Sequence, residues 1–236
     1  MKKICFVLIA ICVLFSCEDT KSSTPDLKDS QKTETPKVAE KPKKKVKKEP
    51  KKEVKITSKN VLDYMILYGK ENKERKVRIV TDFGNIDLEL FTETPYHRAN
   101  FIMLAKRNYF NNTQFHRVVK DFVIQGGNSD GWNIADKRRE IGKYLLPPDT
   151  RKGFKHDRGV ISMPSSDIKQ AYKYASPYEF FIVQKKDGTH HLNGAYTAFG
   201  RVISGMNVVD KIANQETDTG EWPKKNIMIH RVEVLD

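Results

Sequence analysis

The sequence predicts a mainly β fold, a closed antiparallel barrel carried on a polar N-terminal extension. Short alternating or continuous apolar runs, bounded by Gly, Pro and Asn, recur from about residue 77 to the end. Few stretches show helical spacing, and no strand–helix–strand rhythm of the kind that builds a parallel sheet is present. Many short strands favour closure, because a closed sheet has no exposed edges to protect. The 236 residues have room for one good-sized domain plus extensions.

Met1-Lys2-Lys3 followed by the apolar run Ile4 to Phe15 reads as a secretory signal over residues 1–16. The run is too short to span a bilayer as a helix of about 20 residues. Leu14-Phe15-Ser16-Cys17 resembles the lipobox of bacterial lipoproteins, although Phe15 stands where a small or aliphatic residue is usual. That resemblance implies cleavage before Cys17, lipidation of its sulfur and anchorage to a membrane of the bacterial cell envelope. Several acyl chains on one cysteine hold a protein stably, whereas one chain is marginal. Residues 17–56 are rich in Lys, Thr, Ser, Pro and Glu and nearly devoid of large apolar groups. Such a segment cannot offset its ordering entropy by burial, so it is expected to be a disordered tether. A chain of that length spans roughly 35 Å on average.

The net charge of +13 is uneven: residues 1–17 carry +2, residues 18–59 carry +6 and the remaining 177 carry +5. The densest run, Lys41 to Lys48, has no aromatic neighbour, which argues against nucleic-acid binding and for a solvated spacer. All three cysteines lie at or before position 17, so the globular part has neither disulfides nor thiolate metal sites. The six histidines are scattered, and adjacent His190 and His191 are poorly spaced to grip one ion. Neither metal nor cofactor is expected, and nothing in the chain points beyond a monomer.

Residues 57–76 are expected to form an accessory helical segment. Thr57 or Ser58 caps a helix through Val61, Leu62, Met65 and Ile66, and Gly69 ends it. The domain proper, 77–236, opens with a hairpin of 77–81 and 86–90 around the turn Asp82-Phe83-Gly84-Asn85. Thr94-Pro95 starts a helix, with Thr94 as its cap, proline in its first turn and Ala99, Ile102 and Met103 on its apolar side. Strand signals follow at 114–119, 121–125, 159–163, 179–184, 197–203 and 226–235, with a helix over Met206 to Asn214 before the last.

One stretch is especially informative: Phe115-His116-Arg117-Val118-Val119-Lys120-Asp121-Phe122-Val123-Ile124-Gln125-Gly126-Gly127. A guanidinium among apolar groups costs desolvation unless something uses its fixed fork of donors. The segments Gly159-Val160-Ile161-Ser162-Met163, Glu179-Phe180-Phe181-Ile182-Val183 and Thr197-Ala198-Phe199-Gly200-Arg201-Val202 follow it in order. By these four motifs the chain resembles the cyclophilins, a family of peptidyl-prolyl cis/trans isomerases. The resemblance implies an eight-stranded barrel capped by two helices, with a substrate groove on its outside and proline-containing polypeptides as substrates. Together with the front end, it implies an isomerase tethered in the envelope and acting on unfolded or extended proteins. A non-catalytic module that grips proline peptides, or an envelope chaperone, is the alternative.

The resemblance also assigns residues. Arg117 takes the place of the catalytic arginine, Phe122 that of a pocket aromatic and Gln125 that of an amide holding the substrate backbone or bracing the arginine. Val123, Phe181 and Leu192 take pocket positions, with Val123 where a methionine is common. Pro164 and Ser165 fall where the family presents backbone to the peptide. Glu179 replaces a glutamine, and is expected to pair with a cation or repel an acidic peptide. Tyr196 replaces a histidine and is expected to close the pocket, and His191 stands where drug-sensitive members place a tryptophan. The loop from Ser165 to Tyr178, with Tyr172, Tyr174 and Tyr178, is expected to border the groove.

Overall fold

The computed structural model describes residues 54–131, 133–165 and 173–235. The signal segment, Cys17, the tether as far as Glu53 and Tyr172 lie outside the described residues. In chain order the elements are β1 (Ile56–Thr57), α1 (Val61–Glu71), β2 (Lys76–Thr81), β3 (Gly84–Leu90), α2 (Pro95–Lys106), β4 (Thr113–Val118) and β5 (Val123–Asn128). Then come α3 (Ile134–Ile141), β6 (Gly142–Lys143), β7 (Val160–Ser162), β8 (Phe180–Val183), β9 (Ala198–Ser204), α4 (Met206–Ala213) and β10 (Met228–Val234). Eight strands close a barrel in the order β10-β2-β3-β9-β7-β8-β5-β4, and every pairing in it is antiparallel. The expected mainly β barrel is therefore present, with α2 and α4 as its capping helices.

Strand alternation divides the apolar residues between two layers. Phe115, Ile124, Ile161, Phe180, Ile182 and Phe199 belong to the main core. There Phe101 of α2 meets Phe110, Phe180 and Phe199 at ring-centroid distances of 4.9, 5.7 and 5.6 Å, so the interior is filled rather than open. Val123, Val160, Phe181, Val183 and Ala198, from the same strands, form a second apolar cluster with Phe122, Leu192 and Tyr196 packed on it. Four neighbouring strands thus bury both faces, and the outer layer becomes a groove floor.

Several boundaries differ from the sequence expectation. Neither Thr57 nor Ser58 caps α1; Asn60 is its N-cap residue, and Asn60 Oδ1 accepts from the backbone N–H of Thr57 at 2.7 Å. Gly69 does not end α1, which continues to Glu71. A Cβ at Gly69 would sit 3.3 Å from Ala99 Cβ, so this glycine is spent on close approach of two helices. Arg98 of α2 finishes α1 instead, donating to the carbonyls of Gly69, Asn72 and Glu74. Thr94 is the N-cap residue of α2, but its side chain makes no capping bond and Pro95 alone opens the helix. α3 was not foreseen, because only Ile134 and Ile141 of its eight residues are buried and the rest give little periodic signal. Ile56, the last residue assigned to the tether, has no exposed surface. It lies in β1, paired in parallel with Gly142 of β6.

Candidate functional site

The site begins with a register irregularity. Phe115 pairs with Gly126, but Arg117 pairs with Gln125, so β4 advances two residues while β5 advances one. The extra residue, His116, makes a β-bulge. Without it Phe115 and Arg117 would point the same way; with it Phe115 stays in the core and Arg117 reaches the outer face. From Arg117 a row runs across the barrel wall: Gln125 of β5, Phe181 of β8, Ser162 of β7 and Ala198 of β9 are successive cross-strand partners. Residues directly opposite on antiparallel strands share a face. A guanidinium, an amide and a phenyl ring therefore lie side by side by pairing alone.

A groove of ≈ 440 Å³ opens over this row. Arg117, Phe122, Val123, Gln125, Pro164, Ser165, Phe181, Leu192 and Tyr196 line it, so nine of the ten sequence-assigned groove residues converge. Phe122 arrives from the tight turn after β4, where Asp121 has φ 58° and Phe122 N–H donates to Val119 O at 3.1 Å. Its ring stacks on His191 at 5.6 Å, and the Arg117 guanidinium carbon lies 5.8 Å from its centroid. Tyr196 meets Phe181 edge to face at 5.9 Å. Leu192 belongs to a 3-10 turn, His190–Leu192. Pro164 presents its carbonyl to the Ser176 N–H at 2.8 Å, which ties this part of the groove lining to the segment after it.

Glu179, the tenth residue, does not line the groove but stands behind Gln125. Its Oε2 accepts from Gln125 Nε2 at 3.1 Å and lies 3.6 Å from His116 Nε2, while its Oε1 lies 3.5 Å from Arg138. Burial alone would raise this carboxyl; the hydrogen bond and charge of His116, the Arg138 guanidinium and the Gln125 amide outweigh it and hold the group below the usual carboxylate range. An ionised carboxylate only accepts, so the Gln125 NH₂ is turned inward and its Oε1 is the atom left for a ligand. The expected cation pairing is present, with Arg138, and this half-buried carboxylate is not among the residues lining the groove. Tyr178 is likewise no groove residue: it is buried, and its hydroxyl donates to Gly142 O at 2.6 Å. Tyr174 faces a different cavity, beside Leu62 and Leu145.

Sequence reading missed the groove's supports. Beneath Phe181 the His156 ring lies parallel at 6.0 Å. His156 Nε2 is 2.8 Å from Ser162 Oγ and Nδ1 is 2.9 Å from Asn193 Oδ1. Burial lowers the pKa of this imidazole and outweighs the opposing bond to Asn193, which favours the neutral ring. Glu221, 104 residues beyond Arg117, accepts from Arg117 Nε at 2.6 Å. No local motif announces the His156–Asn193 or the Arg117–Glu221 contact, since both join distant segments.

Comparison with known proteins gives one consistent result. The family model described as "Cyclophilin type peptidyl-prolyl cis-trans isomerase/CLD" matches residues 76–234. The chain is 34% identical over 160 residues to the peptidyl-prolyl cis-trans isomerase CYP18-1 of Arabidopsis thaliana, covering 67% of this chain and 94% of that one. It is 32% identical over 168 residues to a peptidyl-prolyl cis-trans isomerase of Acinetobacter baylyi, covering 67% and 84%. A peptidyl-prolyl cis-trans isomerase-like protein of Rhizopus delemar is 35% identical over 171 residues, covering 72% of this chain but only 30% of that protein's length. Among solved structures, a cyclophilin-type isomerase of Cryptosporidium parvum superposes with a TM-score of 0.59 at 29% identity, over 69% of this chain and 98% of that one. The barrel, the four ordered motifs and these matches agree that the chain belongs to the cyclophilin-type peptidyl-prolyl cis/trans isomerase family.

Proposed function

We propose that this chain accelerates rotation about Xaa-Pro bonds in unfolded or extended polypeptides, and that it does so at the cell envelope. One observation carries the catalytic part: Arg117, Gln125 and Phe181 are cross-strand neighbours under a single groove. Amide resonance opposes the rotation with a barrier of about 18–20 kcal/mol, and no covalent bond has to break. A catalyst must therefore bind the twisted amide better than either planar form. Twisting returns a lone pair to the prolyl nitrogen, and a fixed, permanently charged donor aimed at it stabilises only that state. Arg117 supplies this donor. Phe122, Val123, Phe181, Leu192 and Tyr196 cup the proline ring, and Gln125 Oε1 takes a backbone N–H of the substrate. A solved relative was crystallised in the presence of the dipeptide Ala-Pro, a ligand of the size and chemistry this cup would take.

The envelope part rests on Leu14-Phe15-Ser16-Cys17 and on the polar, lysine-rich stretch that follows. Lipid on Cys17 would hold the domain to a membrane, and the stretch from Cys17 to the start of β1 would let it sample a shell above that surface. Both parts have direct tests. The protein should speed a proline-limited refolding reaction catalytically, and a stoichiometric delay of refolding would instead mark a holding chaperone. Cys17→Ser should move the protein from the membrane to the soluble fraction, and unchanged membrane partition would exclude the anchor.

A further inference from the structure

We propose that Glu221 is a positioning residue for Arg117, a clamp that grips the guanidinium from behind and aims its two terminal nitrogens into the groove. The inference rests on the isomerase reading given above. Among the described residues, the Nε–H···Oε2 bond of 2.6 Å is the only hydrogen bond to the Arg117 guanidinium. Nε is the donor nearest the chain, so a carboxylate there fixes the plane of the fork and leaves Nη1 and Nη2 for a ligand.

The backbone around Glu221 is built to deliver that carboxylate. Glu221 has φ 64°, a left-handed conformation uncommon for a residue with a long side chain. Its carbonyl accepts from the N–H of Val118, the residue after Arg117, at 2.9 Å, and its own N–H donates to Asp218 O at 3.1 Å. Asp218 Oδ1 in turn accepts from the N–H groups of Gly220 and Trp222 at 2.8 and 2.9 Å. Trp222 rests 5.8 Å from the ring of the bulge residue His116. The loop is thus docked on the same irregular strand segment that turns Arg117 outward. A carboxylate also subtracts from the positive field in the groove. The Glu221 side chain is 43% exposed, so that subtraction is screened, whereas misplacing a donor by about 1 Å is not.

The test uses the whole chain. Glu221→Gly removes the carboxylate while tolerating the left-handed backbone, and Glu221→Gln keeps an acceptor but loses the charge. On a short Xaa-Pro peptide, Glu221→Gly should lower kcat about tenfold with KM within about twofold of wild type. Glu221→Gln should recover at least about half of the wild-type kcat. Combining Glu221→Gly with Arg117→Ala should add no loss to Arg117→Ala alone. An unchanged kcat in Glu221→Gly, or losses that add in the double variant, would overturn the clamp. An independent readout is the NMR signal of Arg117 Nε–H. It should be protected from solvent exchange in wild type and lose that protection in Glu221→Gly; equal exchange in both also overturns the clamp. If the wild type itself shows no turnover, the isomerase reading fails, and the NMR comparison still decides whether Glu221 holds the arginine.

Discussion

Phe115 and Arg117 lie two residues apart on one strand yet serve opposite sides of the barrel wall, because His116 is bulged between them. The same bulge brings His116 within 3.6 Å of Glu179 and so joins the groove's cation to the support of its amide.

Glu179→Ala should lower kcat/KM about three- to tenfold, because the Gln125 amide loses the acceptor that sets its orientation. Glu179→Gln retains a carbonyl acceptor and should stay near wild type. Equal loss in both variants on a peptide assay would show that the charge, rather than the orientation, matters.

Leu192→Ala should raise KM several-fold with little change in kcat. Leu192 is a partly buried groove wall, which on the proposed reading would touch substrate alike in ground and transition states. A fall in kcat with KM unchanged would place Leu192 in the rotation step instead.

How legible the molecule was in its residues follows from the range of each interaction. Strand alternation and turn residues are local, so all eight barrel strands and the helices from Pro95 and Met206 were visible to within a few residues. The groove wall was visible only through ordered motifs that resemble a family; singly, Phe181 or Leu192 reads as core. The Arg117–Glu221 and His156–Asn193 contacts join distant segments and left no pattern. The resemblance puts Glu179 in the groove, in the place of a glutamine, but its side chain turns to Arg138 and His116. Gly69 looked like a helix stop and is a helix–helix contact, a distinction set by Ala99 of another element.

His97 predicts an acid sensitivity. It is fully buried with neither ring nitrogen hydrogen-bonded among the described residues, and burial pushes its pKa down to about 3. The unfolded chain, with a value near 6.5, binds more protons between these limits. Stability from the neutral ring is therefore complete above about pH 6.5 and is lost as pH falls toward about 3, at up to about 1.4 kcal/mol per unit. His97→Leu should flatten that slope in urea unfolding at pH 4.5 against pH 7.5, and an unaltered slope would show that the ring is not the source.

Gly142→Ala should detach β1. Gly142 has φ 139°, and a Cβ there would lie 1.8 Å from Ile56 O, which the backbone must move to relieve. A loss of about 1–3 kcal/mol is expected, with faster amide exchange at Ile56 and Thr57. Unchanged exchange at those amides would mean that the β1–β6 pair contributes nothing to holding the entering chain.

The most direct measurement is the rate of cis/trans exchange in a short Xaa-Pro peptide with wild type, Arg117→Ala and Arg117→Lys. The guanidinium is partly exposed, so both variants should keep the wild-type fold by circular dichroism. Wild type should catalyse the exchange, and both variants should lose at least about a hundredfold, since a mobile ammonium cannot reproduce the fixed fork. A near-normal rate in Arg117→Lys, or no catalysis by well-folded wild type, would contradict the role assigned to that fork.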